Sequence, residues 1–160
     1  MIKSITSLKV SAKRVIVRAG FDVPLKQNIH TELWQVADDT RIKDCLPTLK
    51  YLIDGNAKIV ILSKLGRPTK WDEDLSQWPV AEKLAELLNY KAVKISDTLP
   101  DYSVAQVYFL AADITRQDYS DLSLKIPPRS ILFLENTLFY PGEQSEDKEF
   151  TQTLKSFGDI

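Results

Sequence analysis

Lys64 and Arg67 stand in the run Ser63-Lys64-Leu65-Gly66-Arg67-Pro68, where a glycine lets the backbone turn or approach a ligand and a proline fixes the exit. Arg41 follows Asp38-Asp39-Thr40 and falls in the first turn of a helical pattern. The free N–H groups and the dipole of a helix start already favour an anion there. Two arginines, a lysine and a helix terminus are the parts of a cradle for a phosphate or a carboxylate. Other chemistry is poorly supplied. Cys45 is the only cysteine, which excludes an intrachain disulfide, and it reads as a small apolar helix residue. His30 is the only histidine and lies in a polar stretch, so it reads as a surface loop residue without triad or zinc partners. No glycine-rich phosphate loop of the Walker type occurs, which argues against nucleotide binding by this chain alone.

The elements that would position these cations alternate along the chain. Arg14 to Arg18 reads as a strand. Lys58 to Ser63 is a nearly continuous apolar run, the pattern of a strand buried on both faces. Ala92 to Ile95, Ala105 to Leu110 and Ile131 to Leu134 complete the strands. Between them, a helix from Asp39 or Thr40 to Asp54 carries the stripe Ile42, Cys45, Leu46, Leu49, Leu52 and Ile53, with Pro47 expected to kink it or displace its start. A second helix runs from Pro79 to Asn89, and a third from about Asp147 to Phe157, stopped by Gly158. Strand–helix alternation of this kind predicts an α/β fold with a doubly wound parallel sheet, Rossmann-like. In such sheets ligands bind beyond the C-terminal strand ends, and Lys64, Arg67 and the segment Gly20-Phe21-Asp22-Val23-Pro24 lie there. Asp38 and Asp39 read as helix-capping residues, Glu135 and Asn136 as structural, and Trp34, Trp71 and Trp78 as packing or surface aromatics. Thr69 to Gln77 reads as a polar surface loop.

Bulk composition sets the outer bounds. The 160 residues carry 21 Lys+Arg against 22 Asp+Glu, so no net charge draws the chain to nucleic acid or to an anionic membrane. No apolar run approaches spanning length, and Met1-Ile2-Lys3-Ser4 lacks a signal-peptide pattern, so the expected location is cytoplasmic. After Gly158, Asp159-Ile160 reads as the first step into another strand, and the domain is expected to be incomplete at its C-terminal end.

The ordered segments VRAGFDVPL (17–25), DDTRI (38–42), LPTLKYL (46–52), SKLGRP (63–68), PVAEKLAELL (79–88), LENTLFYPGE (134–143) and FGDI (157–160) resemble the N-terminal domain of phosphoglycerate kinase. The resemblance covers nearly the whole chain, so residues 1–160 are expected to be that domain, with the nucleotide-binding domain absent. It implies an enzyme that reversibly transfers a phosphoryl group between ATP and 3-phosphoglycerate in glycolysis, 1,3-bisphosphoglycerate being the phosphorylated form. It implies Mg-ATP or Mg-ADP as cofactor of the full-length enzyme, bound by the missing C-terminal domain and not by this chain, and a monomer. Arg41 matches the arginine that stabilises the transferring phosphoryl group, and Arg67 an arginine of the triose-binding basic patch.

Four positions depart from the family pattern. Gly20 and Asp22 replace an aspartate and an asparagine, Lys64 replaces a histidine, and Leu138 replaces an arginine. Lys64 keeps a cation and Asp22 keeps an acceptor, so Asp22, Arg41, Lys64 and Arg67 form the expected substrate set. Gly20 and Leu138 remove anchors. The segment Lys26 to Ala37 is longer than the family's usual hairpin. The departures leave a second expectation open, a non-catalytic relative acting as a binding module. A truncated reading frame without independent function is a third.

Overall fold

The computed structural model describes residues 4–100 and 104–160, so Met1–Lys3 of the N-terminal segment lie outside the described residues. Five strands form one parallel sheet: β1 (Arg14–Arg18), β4 (Lys58–Leu62), β7 (Ile131–Leu134), β6 (Val107–Leu110) and β5 (Ala92–Ile95), in that spatial order. Register is set pairwise, with Ile59 opposite Val15 on one side and Ile131 on the other. A separate antiparallel hairpin, β2 (Leu25–Gln27) with β3 (Trp34–Val36), fills the long segment after the first strand. His30 sits exposed in its turn.

The central strands are apolar throughout because both faces are covered. Ile59, Ile61, Val107, Phe109, Ile131 and Phe133 point into one layer, under α1 (Thr40–Asp54) and α2 (Trp78–Leu88). Val60, Leu62, Tyr108, Leu110, Leu132 and Leu134 point into the other, against α3 (Ser120–Lys125) and α5 (Lys148–Ser156). The period-2 alternation of side chains sends consecutive residues of one strand into two different cores. This is the doubly wound α/β arrangement the alternation predicts.

Pro47 neither breaks α1 nor moves its start. The proline is exposed, so the hydrogen bond it cannot donate is lost on the solvent side, while the buried stripe Ile42, Leu49, Leu52 and Ile53 holds the helix to the sheet. Asp38, not Asp39, receives the Thr40 N–H, at 2.8 Å, and Asp39 instead pairs with Lys43. At the other end, a Cβ on Gly158 would meet Ile16 Cγ1 at 2.4 Å, so glycine is required for α5 to end against β1. Asp159 and Ile160 then hydrogen-bond to the outer edge of β1, with the Ile160 carbonyl accepting from the Ile16 N–H at 2.8 Å.

The Thr69 to Gln77 segment is less superficial than its polarity suggests. Gln77 is fully buried, and Trp71 lies 4.7 Å from the Phe139 ring. The reason is a carboxylate below it. Glu135 accepts from Ser76 Oγ and from the Gln77 N–H, drawing the end of the loop into the sheet.

Candidate functional site

Three strand ends are laced together at one edge of the sheet. The Ala19 N–H donates to the Leu62 carbonyl at 2.9 Å, and the Phe21 N–H to Ser63 Oγ at 3.1 Å. The Thr137 N–H donates to the Ser63 carbonyl at 3.0 Å. Asn136, fully buried, completes the lacing from β7: its Oδ1 accepts from the N–H groups of Leu65 and Leu138, and its Nδ2 donates to the carbonyls of Leu65 and Leu75. The segments that follow β1, β4 and β7 are therefore held as one unit, and Lys64 projects from the middle of it.

A cleft of ≈ 430 Å³ opens over these ends, lined by Arg18, Gly20, Lys64, Leu138 and Glu143 among others. It occupies the crevice where a parallel sheet offers its ligand site. Lys64 and Arg18 are its two cations. Arg18 pairs with Glu143 of the short helix α4 (Pro141–Gln144). The carboxylate side chain is 7% exposed and the guanidinium side chain 63%. Sequence reasoning passes over Arg18 because it reads as the last residue of a strand, although the C-terminal strand end was itself the signal. Glu143 reads there as part of a structural turn.

The expected site residues are not all gathered in this cleft. Arg41 is exposed in the first turn of α1 and Arg67 is exposed beyond Gly66, and neither lines it. Among the described residues, the side chains of Arg41, Lys64 and Arg67 make no hydrogen bond or ion pair, which leaves all three cations available to an anion. Asp22 lies on the far side of the Lys64 loop, in a neighbouring cleft with Trp34, Leu65 and Leu75. Its Oδ1 accepts from the Gly66 N–H at 2.9 Å, and Gly66 adopts φ +63, a conformation that favours glycine. Asp22 thus fixes the turn that follows Lys64.

Electrostatics separate structural groups from available ones. Burial pushes the Glu135 carboxyl above its ordinary range, against donation from Gln77, Asn136 and Ser76. Burial also raises the Tyr140 hydroxyl and the Cys45 thiol, so neither is poised as a nucleophile. Among the described residues, no three His, Cys, Asp or Glu side chains converge where they could hold a metal ion, and no helix is long and apolar enough to cross a membrane. The cleft offers cations and backbone, which suits binding and charge neutralisation of a small oxyanion.

The sequence profile described as phosphoglycerate kinase matches residues 5–160. The chain belongs to the phosphoglycerate kinase family. Phosphoglycerate kinase of Nitratiruptor sp. is 37% identical over 160 residues, covering 99% of this chain and 35% of that protein. Phosphoglycerate kinase of Dictyoglomus turgidum is 35% identical over 151 residues, covering 94% of this chain and 33% of its own length. The solved structure of phosphoglycerate kinase from Coxiella burnetii superposes with TM-score 0.71 at 27% identity, covering 98% of this chain and 33% of that one. The chain thus spans about a third of the length of the phosphoglycerate kinases it matches. Its match to the N-terminal part makes the observed parallel sheet the family's fold. The kinases of the family are transferases that act on small-molecule substrates.

Proposed function

We propose that this chain supplies the triose-phosphate-binding part of a phosphoglycerate kinase, which transfers a phosphoryl group reversibly between ATP and 3-phosphoglycerate in cytoplasmic glycolysis. The observation that carries this reading is the cleft over three laced strand ends, with Lys64 unpaired at its mouth. Phosphoryl transfer asks little covalent work of the protein and much positioning and charge neutralisation. Lys64 and Arg67 would bind and orient the triose phosphate. Arg41, at the helix start, would meet charge developing on the transferred group. Asp22 would act by holding the Lys64 loop through Gly66, or by accepting a hydroxyl of the triose.

We read the Mg-nucleotide as held outside the residues of this chain. There is no glycine-rich phosphate loop, and no acidic cluster of metal-ligand geometry among the described residues. On this reading the nucleotide belongs to the part of the family's proteins that lies beyond this chain, and the residues of this chain act on the triose alone.

One observation favours a second reading, a non-catalytic binding module. Gly20 and Leu138 line the cleft without a polar group, and Arg18 is engaged by Glu143, so the cleft is poorer in free charge than its position suggests. Titration of the chain with 3-phosphoglycerate, followed by amide NMR shifts, separates the two. Saturable shifts at Lys64 and around Gly20, lost in Lys64→Ala, and weakened in Arg41→Ala, are the expected result. A folded spectrum that does not respond to millimolar ligand overturns the triose-binding reading.

A further inference from the structure

Glu143 is placed oddly for a cleft that would bind an anion. Its side chain is almost sealed from water, at 7% exposure, and among the described residues its ion pair is with Arg18, a cation of the same cleft. A buried carboxylate without a partner is costly, so the pair stabilises Glu143 more than it stabilises the largely solvated Arg18. The two partners also differ in freedom to move. Glu143 rides on α4, whose Gly142 is so close to α5 that a Cβ there would lie 2.6 Å from Phe150 Cβ, and Phe150 is itself buried. The Glu143 N–H is bonded to the Tyr140 carbonyl at 3.0 Å, and Tyr140 is buried too. Arg18, by contrast, ends a strand with a long, exposed side chain.

We propose that Glu143 is a specificity-determining internal competitor, which holds Arg18 until a ligand of greater charge density takes the guanidinium from it. This inference rests on reading the cleft as an anion site. Because Glu143 is fixed, the exchange proceeds by rotation of Arg18, not by movement of α4. A ligand that captures Arg18 leaves Glu143 in place as an unpaired carboxylate nearby. A monocarboxylate offers the guanidinium no more than Glu143 already does and gains little. A phosphate dianion presents more charge and three acceptor oxygens, so it can win the exchange. Lys64, the other cation of the cleft, attracts phosphate and carboxylate alike, and neither Gly20 nor Leu138 brings a charge that could substitute for Arg18, so the discrimination runs through Arg18. The pair therefore makes the cleft discriminate phosphate from simple carboxylate at the expense of affinity.

The test is a titration with 3-phosphoglycerate and, separately, with D-glycerate, on the chain and on Glu143→Gln, Arg18→Gln and the double variant. Removing the competitor is expected to tighten 3-phosphoglycerate binding roughly tenfold, as release of one charge-assisted hydrogen bond would. Glycerate, bound weakly through Lys64 on the unaltered chain, is expected to bind more tightly on Glu143→Gln. In the Arg18→Gln background the added substitution is expected to change little, because the effect runs through Arg18. An equal gain in both backgrounds overturns the competitor reading and leaves only general repulsion by Glu143. Binding by the unaltered chain with no gain in Glu143→Gln overturns this inference alone. Folded proteins of which none binds either ligand overturn the anion-site reading together with it.

Discussion

Asn136 is the residue on which the site's geometry depends most, and replacing it tests the reasoning directly. Its side chain is fully buried and makes four hydrogen bonds, two accepted and two donated. In Asn136→Ala all four backbone partners lose their mate. Leu65, which supplies both an N–H and a carbonyl, is itself buried, so neither group regains water. Leu75 and Leu138 are only half-buried and recover part of their hydration. At about 1 kcal/mol for an ordinary bond and somewhat more for the two stranded at Leu65, the expected loss is about 4 kcal/mol. That is a large share of the roughly 5–15 kcal/mol that separates a folded domain from its unfolded chain. Urea unfolding measures it as a lower midpoint at unchanged slope. Hydrogen exchange adds a local readout: the Leu65 amide is expected to lose protection before the strand amides of β4 do. Asn136→Asp sharpens the test at neutral pH, since it keeps the acceptor and turns an oxygen toward the carbonyls of Leu65 and Leu75. It should be no more stable than the alanine variant. A loss under about 1 kcal/mol for Asn136→Ala would show that the strand ends are not held by this residue.

Two other perturbations probe the polar groups beneath the Thr69 to Gln77 loop. Glu135 has its carboxyl pKa raised chiefly by burial, so the folded state binds its proton more tightly than the unfolded chain does. Stability from this group is greatest below the ordinary glutamate range and falls as pH rises through its raised folded value. Glu135→Gln keeps the acceptor for Gln77 and Asn136, so the difference in stability between the two proteins, followed by thermal unfolding across that window, should shift steadily in the variant's favour. A difference independent of pH would refute the assignment. Gln77 buries both polar atoms of its carboxamide without a partner among the described residues, and Gln77→Met is expected to stabilise the fold by about 1–3 kcal/mol in denaturant unfolding. A destabilised variant would show that a bound water satisfies the amide.

The order of the five sheet strands and of the three longer helices was legible in the sequence because it rests on local periodicity, whereas the β2–β3 hairpin and the short helices α3 and α4 are too brief to show a period. The run Lys58 to Ser63 has the pattern of a strand covered on both faces, and Ile42 to Ile53 that of a helix with one buried stripe. Family membership was legible too, since short segments recurred in order over nearly the whole length. Pro47 did not displace the start of α1, because a proline's cost depends on which face of the helix it occupies, and that face is set by packing on the sheet. The cations Lys64, Arg67 and Arg41 could be named from residue type and strand ends. Which of them share a cleft could not, because sequence spacing says nothing of the distance between loops that follow different strands. Only the fold placed Lys64 beside Arg18, Gly20 and Leu138, turned Asp22 toward Gly66, and set a sealed Glu143 against the arginine of the same cleft. Those pairings join residues up to 125 positions apart, as Arg18 and Glu143 are, and they exist only once the parallel strands are in register and their ends meet.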